Sequence, residues 1–183
     1  MRNCKGIILV FLVFLAACSK SDNEGPDISD KLTNPYCNDP EAINYNWGFP
    51  GRPDNTTCFY PKDIFVGVYS FSDSIYNANL ELKKVNDITL TIYANSNNIL
   101  RVTGFCSNTD SIRLTADRFY RSYADSTITN DSVVLDGQIV CRTVDTLSGY
   151  LIKDKNDSTK LSVNITVASD TGLNFHLGTA YKK

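Results

Sequence analysis

Absences limit this chain before any of its motifs do. Its 183 residues contain one histidine, His176. No Cys-x-x-Cys pair accompanies it, so a soft-metal centre lacks a donor set. Gly-x-Ser-x-Gly is missing too, which removes the usual context of a hydrolase nucleophile elbow. Nothing calls for a cofactor. No stripe of Lys or Arg runs along any segment, and the formal net charge is −2, which argues against nucleic acid as a partner. No apolar run reaches the ~20 residues of a membrane-spanning helix. After residue 17 there is no 3.6-residue stripe; Asn79–Val85 comes nearest and reads equally well as a strand.

What is present begins at the N-terminus. Arg2 and Lys5 precede an apolar run, Gly6–Ala17, that ends in Leu15-Ala16-Ala17-Cys18. A charged start, an apolar centre and a small-residue cut site predict a secretory signal over residues 1–17. Cys4 lies in the segment that would be discarded. The tetrapeptide resembles the lipobox of bacterial lipoproteins, whose cysteine carries a diacylglyceryl thioether and usually a further acyl chain such as palmitate. The resemblance implies lipidation at Cys18 and a membrane partner engaged through the lipid. Each buried methylene contributes about 0.8 kcal/mol, and two or three chains make attachment effectively permanent. Ser19 in place of Asp points to the outer membrane. Ser19-Lys20-Ser21-Asp22-Asn23-Glu24 resembles the acidic export signals of Bacteroidota surface lipoproteins, with Asn23 interrupting the acidic pair. That implies surface exposure ahead of a periplasm-facing orientation. By composition, residues 18–33 form a solvated flexible tether.

Cleavage would take Arg2 and Lys5 from the 18 basic residues and none of the 20 acidic ones, moving the net charge from −2 to −4. The remaining length suits one domain with a small appendage.

Four further cysteines follow: Cys37, Cys58, Cys106 and Cys141. In an exported chain an even number of thiols suggests disulfides, and four allow three pairings. Locality favours Cys37–Cys58 and Cys106–Cys141. Residues 34–61 carry turn signals at Asp39-Pro40 and Pro50-Gly51 and little apolar mass beyond their aromatics, so the segment is too small to own a core. Its Cys37-Asn38-Asp39-Pro40-Glu41-Ala42-Ile43-Asn44-Tyr45-Asn46, followed by Asp54 and Cys58, resembles a short cystine module of Bacteroidota surface proteins. Asp54-Asn55-Thr56-Thr57 replaces that module's acidic pair and Gly-Ser. A calcium loop on Asp39 and Asp54 is the sharper reading of the segment. A stapled spacer is preferred, because the ligand spacing of a calcium loop is absent.

From residue 62 to 183 the pattern alternates. Ile88, Leu90, Ile92 and Ala94 share one face, as do Leu161, Val163, Ile165 and Val167. Leu173, Phe175 and Leu177 form a third such set. Turn clusters at Asn95–Asn98, Ser107–Asp110, Thr129–Asp131 and Asp154–Asp157 separate these runs. Eight or nine sequential strands predict an all-β antiparallel up-and-down barrel, with a two-sheet sandwich as the alternative. Phe65-Val66-Gly67-Val68-Tyr69 resembles the first strand of lipocalin-like lipoproteins, with Tyr69 in the tryptophan position. The resemblance implies a cup able to hold a small apolar ligand.

His176 alternates with the apolar residues of its strand, which places it on the exposed side or at the rim. No residue is assigned a catalytic or metal-binding role. Asp followed by Ser or Thr recurs, making Ser74, Ser111, Ser126, Ser132, Thr146 and Ser158 candidates for O-glycosylation by resemblance to exported Bacteroidota proteins. Strand-entry chemistry explains the same pattern without modification. The functional expectation is a non-enzymatic, lipid-anchored module that binds a small apolar ligand or an envelope protein. The alternatives are a hydrolase of envelope or dietary polymers, which would need His176 beside a Ser or carboxylate in a cleft, and a purely structural surface component.

Overall fold

The computed structural model describes residues 32–46, 51–105, 111–125, 127–128, 134–135, 137–139 and 145–183. Two short parallel strands, β1 (Pro35–Tyr36) and β2 (Arg52–Pro53), a 3-10 turn (Asn55–Thr57) and the helix α1 (Pro61–Phe65) precede the main sheet. That sheet contains β3 (Gly67–Asn77), β4 (Leu82–Ala94), β5 (Ile99–Thr103), β6 (Ile112–Ala116) and β7 (Arg121–Ala124). After a pair of two-residue strands, β8 (Thr127–Ile128) and β9 (Val134–Leu135), come β10 (Gln138–Ile139), β11 (Thr146–Lys153), β12 (Lys160–Ser169) and β13 (Gly172–Lys182). The order is β10-β11-β12-β13-β3-β4-β5-β6-β7, and β7 returns to β11. Eight antiparallel strands, β3–β7 and β11–β13, therefore close into a barrel. The barrel expected from the alternation is what forms, and the sandwich is not.

An eight-stranded barrel is just wide enough for its own side chains to fill. Tyr69, Phe71, Leu90, Ile92, Leu100, Leu114, Leu147, Leu151 and Leu161 point inward and are essentially fully buried. The inward set on β12 is the one its alternation predicts. On β13 the faces are reversed. Ala180 pairs with Phe71 on one side and Leu161 on the other, and His176 pairs with Ile165, so Ala180, Gly178 and His176 face the lumen while Leu173 is exposed. The cause is space. A Cβ on Gly178 would stand 2.3 Å from the Ser72 carbonyl oxygen and 3.0 Å from the Phe71 ring. The bulky inward residues of β3 leave room only for small ones opposite, a taper common in small barrels.

The end of the barrel where β3 begins is plugged by α1. Pro61 sits at the first helical turn, where its missing N–H costs nothing. The Asp63 carboxylate accepts the Tyr60 amide at 2.8 Å, closing that turn. Phe65 is wholly buried, and the Tyr69 hydroxyl donates to its carbonyl oxygen at 2.9 Å. The sequence predicts strand from Phe65; helix runs through Phe65 instead, and the strand begins at Gly67. Ahead of the plug, Cys37 and Cys58 form the expected disulfide, closing a loop of 21 residues' separation. Such a closure contributes roughly 3 kcal/mol in the loop-entropy model. Arg118, from the β6–β7 turn, places its guanidinium 5.2 Å from the Tyr45 ring centre and donates to the Pro40 carbonyl, fastening this segment to the barrel.

Replacing Phe65 with Ala is expected to lower unfolding stability by about 3–5 kcal/mol, the usual cost of an emptied aromatic site. Urea denaturation of the full chain measures it; a loss under 1 kcal/mol would mean that α1 is not part of the core.

Candidate functional site

A lumen filled with hydrocarbon tolerates few polar groups, and those it holds cluster toward its two ends. At the plugged end, Lys153 closes β11 facing inward beside Tyr69 and is only 3 % exposed. Its Nζ donates to the Tyr69 hydroxyl at 3.0 Å and lies 4.8 Å from that ring's centre. Burial, with the nearby Lys182 charge adding to it, pulls the Lys153 ammonium down to about 8. Burial likewise pushes the Tyr69 phenol up to about 12. No described carboxylate forms an ion pair with Lys153.

Two clefts open beside this lysine. One, of about 560 Å³, lies between α1, the β11–β12 turn and the end of β13. Phe59, Ile64 and Tyr120 supply apolar wall, and Lys153, Lys155, Lys182 and Lys183 supply cations. The other, about 700 Å³, lies across Tyr120 and shares Lys153, Asp154 and Lys155 with the first. Sequence reasoning missed Lys153 because one Lys at the end of a strand reads as solvated. The only signal is parity: Lys153 sits two residues after Leu151 on the inward face of β11.

Toward the other end lies a second polar pair. His176 Nδ1 stands 2.8 Å from Asp73 Oδ2, with the two side chains 14 % and 4 % exposed. The Phe105 ring meets the imidazole edge-on, with centroids 4.8 Å apart. An ionised Asp73 would accept a hydrogen from Nδ1 and fix the tautomer. Asp73 Oδ1, Asp145 Oδ1 and Ser122 Oγ are buried with no hydrogen-bond partner among the described residues. The expectation that His176 stands exposed or at the rim is therefore corrected: β13 turns its small-residue face inward and carries His176 with it. What results is an oriented imidazole beside a buried carboxylate. Among the described residues no Ser, Thr or Cys is hydrogen-bonded to the ring.

The remaining sequence candidates fall as follows. Cys18, Cys106, Cys141, Ser126 and Ser132 lie outside the described residues. Ser74 sits mid-strand opposite Leu177 and Val85, on the outer face. Ser111 precedes β6, half-buried; Thr146 opens β11, half-buried; and Ser158 is exposed in the β11–β12 turn. Asp39 and Asp54 bind their own chain. Asp39 accepts the Glu41 amide and the Tyr60 hydroxyl, and Asp54 accepts the Thr56 amide and hydroxyl. The Thr56 contacts hold the Asp54 carboxyl below the usual range.

No protein family matches this chain, and neither does any curated protein. Among solved structures the chain is similar to a redesigned β-barrel, with a TM-score of 0.41 and 14 % identity. That match covers 67 % of this chain and 95 % of the other.

Lys153 predicts a pH dependence with a definite sign. A base whose folded value lies near 8, below its ordinary 10.5, sheds its proton first in the folded state. Between those values the unfolded chain holds more protons, so stability rises with pH. Above pH 10 the raised Tyr69 phenol reverses the trend, because the unfolded chain ionises first. Urea midpoints should climb from pH 8 to pH 10. Lys153→Met should remove the climb and stabilise the fold at pH 7 by about 1–3 kcal/mol, since a buried charge gives way to a packed chain. An unchanged slope in the variant would refute the assignment.

Proposed function

We propose that this chain is a non-enzymatic, lipid-anchored module of a bacterial outer membrane that works through the outer surface of its barrel. The observation that supports this reading over an internal ligand is that, among the described residues, side chains pack the plugged end of the lumen. A ligand-holding cup needs an internal cavity, whereas among the described residues Phe65, Tyr69, Phe71 and Leu90 occupy the space behind the plug. Contact with an envelope protein therefore has more support than a small apolar ligand inside the barrel. Exposed Leu80, Leu82, Val85 and Leu173 near the β3–β4 hairpin give such a contact an apolar surface. Leu15-Ala16-Ala17-Cys18 and the tether through residue 33 supply the anchor in this reading.

In a bacterial host fed an alkyne analogue of palmitate, the native chain should take up label and partition into the outer membrane. Cys18→Ser should do neither, and native mass spectrometry should find no stoichiometric apolar ligand. Label on the Cys18→Ser chain, or a retained lipid-sized ligand, would overturn the proposal.

A hydrolase is the second reading, and the Asp73–His176 pair is the observation that favours it. The same geometry serves a structural role, tying β13 to its neighbour β3 on the lumen face. On the structural account His176→Ala should lower stability by about 1–3 kcal/mol through the orphaned Asp73 carboxylate. Turnover of glycan or ester substrates should be absent from both chains. Activity in the native chain that vanishes in His176→Ala would establish the hydrolase instead.

A further inference from the structure

We propose that the cleft between α1 and the β11–β12 turn binds a small organic anion, a carboxylate or phosphate on an apolar body, with Lys153 at its floor. This inference is independent of the lipid anchor and of what the outer wall contacts.

The first argument is charge. Lys153, Lys155, Lys182 and Lys183 all line the cleft, and among the described residues none makes an ion pair. Asp63 and Asp154 line the cleft as well, leaving the lysines in excess by two, and the carboxylates there are hydrogen-bonded within their own turns. Asp63 accepts the Tyr60 amide, Asp154 accepts the Asn156 and Asp157 amides, and Asp157 accepts Thr159 and pairs with Lys160. The cations are thus left to face the cleft or to rest on neutral oxygens. Lys182 donates to the Val66 carbonyl and Lys183 to the Thr89 hydroxyl.

The second argument is burial. Lys153 has one described acceptor, the Tyr69 hydroxyl, for an ammonium with three N–H groups. Asp157 acts on Lys153 through space but forms no ion pair with it, and a bound anion would lower the cost of the buried charge where the local dielectric makes the attraction strong. Shape agrees with charge, because Phe59, Ile64 and Tyr120 wall the same space with apolar surface. The cleft, of about 560 Å³, thus sets charged groups beside an apolar wall, which suits an anion carried on an apolar body.

Binding should couple to protonation. The groups facing Lys153 are Tyr69 from β3, Asp63 from α1, Tyr120 from the β6–β7 turn and Lys182 and Lys183 at the end of β13. Asp154, Lys155 and Asp157 face it from the β11–β12 turn. Among these, Lys153 is drawn down to about 8, so it loses its charge between pH 7 and 9. An anion that needs the charged form should bind about tenfold more weakly at pH 9 than at pH 7.

The test titrates the full chain, in non-ionic detergent, with phenyl phosphate and benzoate by calorimetry, using benzyl alcohol as the neutral control. Both anions should bind one to one and the alcohol should not. Lys153→Met should weaken binding about tenfold and abolish its pH dependence. The exposed pair Lys155→Gln with Lys182→Gln should weaken binding by a similar factor, and it keeps the test valid if the buried variant fails to fold. Phosphatidylglycerol vesicles form the last arm. Displacement of phenyl phosphate by them would identify a lipid headgroup as the source of the anion, and no displacement would identify a free metabolite. Absence of anion binding, equal binding of benzyl alcohol, or unchanged affinity in the Lys155 and Lys182 variant would overturn the proposal.

Discussion

The barrel depends on a seam of three residue pairs. Tyr123, Ser122 and Arg121 of β7 meet Tyr150, Leu151 and Ile152 of β11. Without them the remaining strands would be an open sheet with two long edges, which proteins ordinarily cover or charge to prevent misassembly. So short a seam needs help at both ends. Toward the plug, the Lys153 amide donates to the Tyr120 carbonyl and continues the pairing into the turn. Beyond Ala124, β10 takes over the edge of β11, and the Gln138 side chain does what a strand would otherwise do. Its amide accepts from the Arg113 N–H and donates to the Arg113 carbonyl, which also accepts the Asp125 amide just past β7. Arg113 in turn pairs with Asp125 at 3.0 Å across the same junction.

Closure at eight strands then decides where polar chemistry can sit. Among the described residues the lumen is packed mainly with hydrocarbon, and two settings of charged groups within it solve the problem of burial differently. Asp73 and His176 bring acid and base together through Oδ2 and Nδ1, leaving Asp73 Oδ1 without a partner among the described residues. Lys153 has only a phenol, and burial presses it toward neutrality. The first solution makes a rigid tie between β3 and β13. The second leaves an unmet demand for negative charge beside open space, which is the physical reason to look for a ligand there.

Much of this fold is legible in the chain and some of it is not, for reasons that individual residues make plain. Leu161, Val163, Ile165 and Val167 are large, so their alternation reports the inward face of β12 correctly. On β13 hydrophobicity misleads. The inward positions hold Gly178, Ala180 and His176 because Phe71 and Tyr69 already fill the neighbouring space, while Leu173 and Phe175 ride outside. A pattern of size complementarity across strands cannot be read from one strand alone. The plug escapes for a different reason. Five residues are too few to show a helical period, and Tyr60 replaces the usual Ser, Thr, Asp or Asn cap. Only Pro61 followed by Asp63 marks the start. Lys153 was hidden by its chemistry, since a lysine at a strand end is normally solvated.

The two ends of the barrel also differ in what they can reach. The cystine segment and the chain leading into it join at the plugged end, through α1 and Arg118. On the proposed anchor, a sixteen-residue tether has a root-mean-square span of roughly 22 Å. That is comparable to one barrel length, so such an anchor would hold the plugged end within about that distance of the bilayer. The hairpin is built for display. The Asn77 side chain accepts the Asn79 and Glu81 amides and fixes the turn. Within it Leu80 adopts a left-handed backbone at φ 62° with 68 % of its surface exposed. That conformation costs a branched side chain on the order of 1 kcal/mol, and Gly or Asn would relieve it. Strain and exposure both favour replacing this leucine, so a role for its side chain in contact is the simplest account of its presence. On the two proposals made above, apolar contact would fall to the β3–β4 hairpin and anion binding to the cleft beside α1, at opposite ends of one packed core.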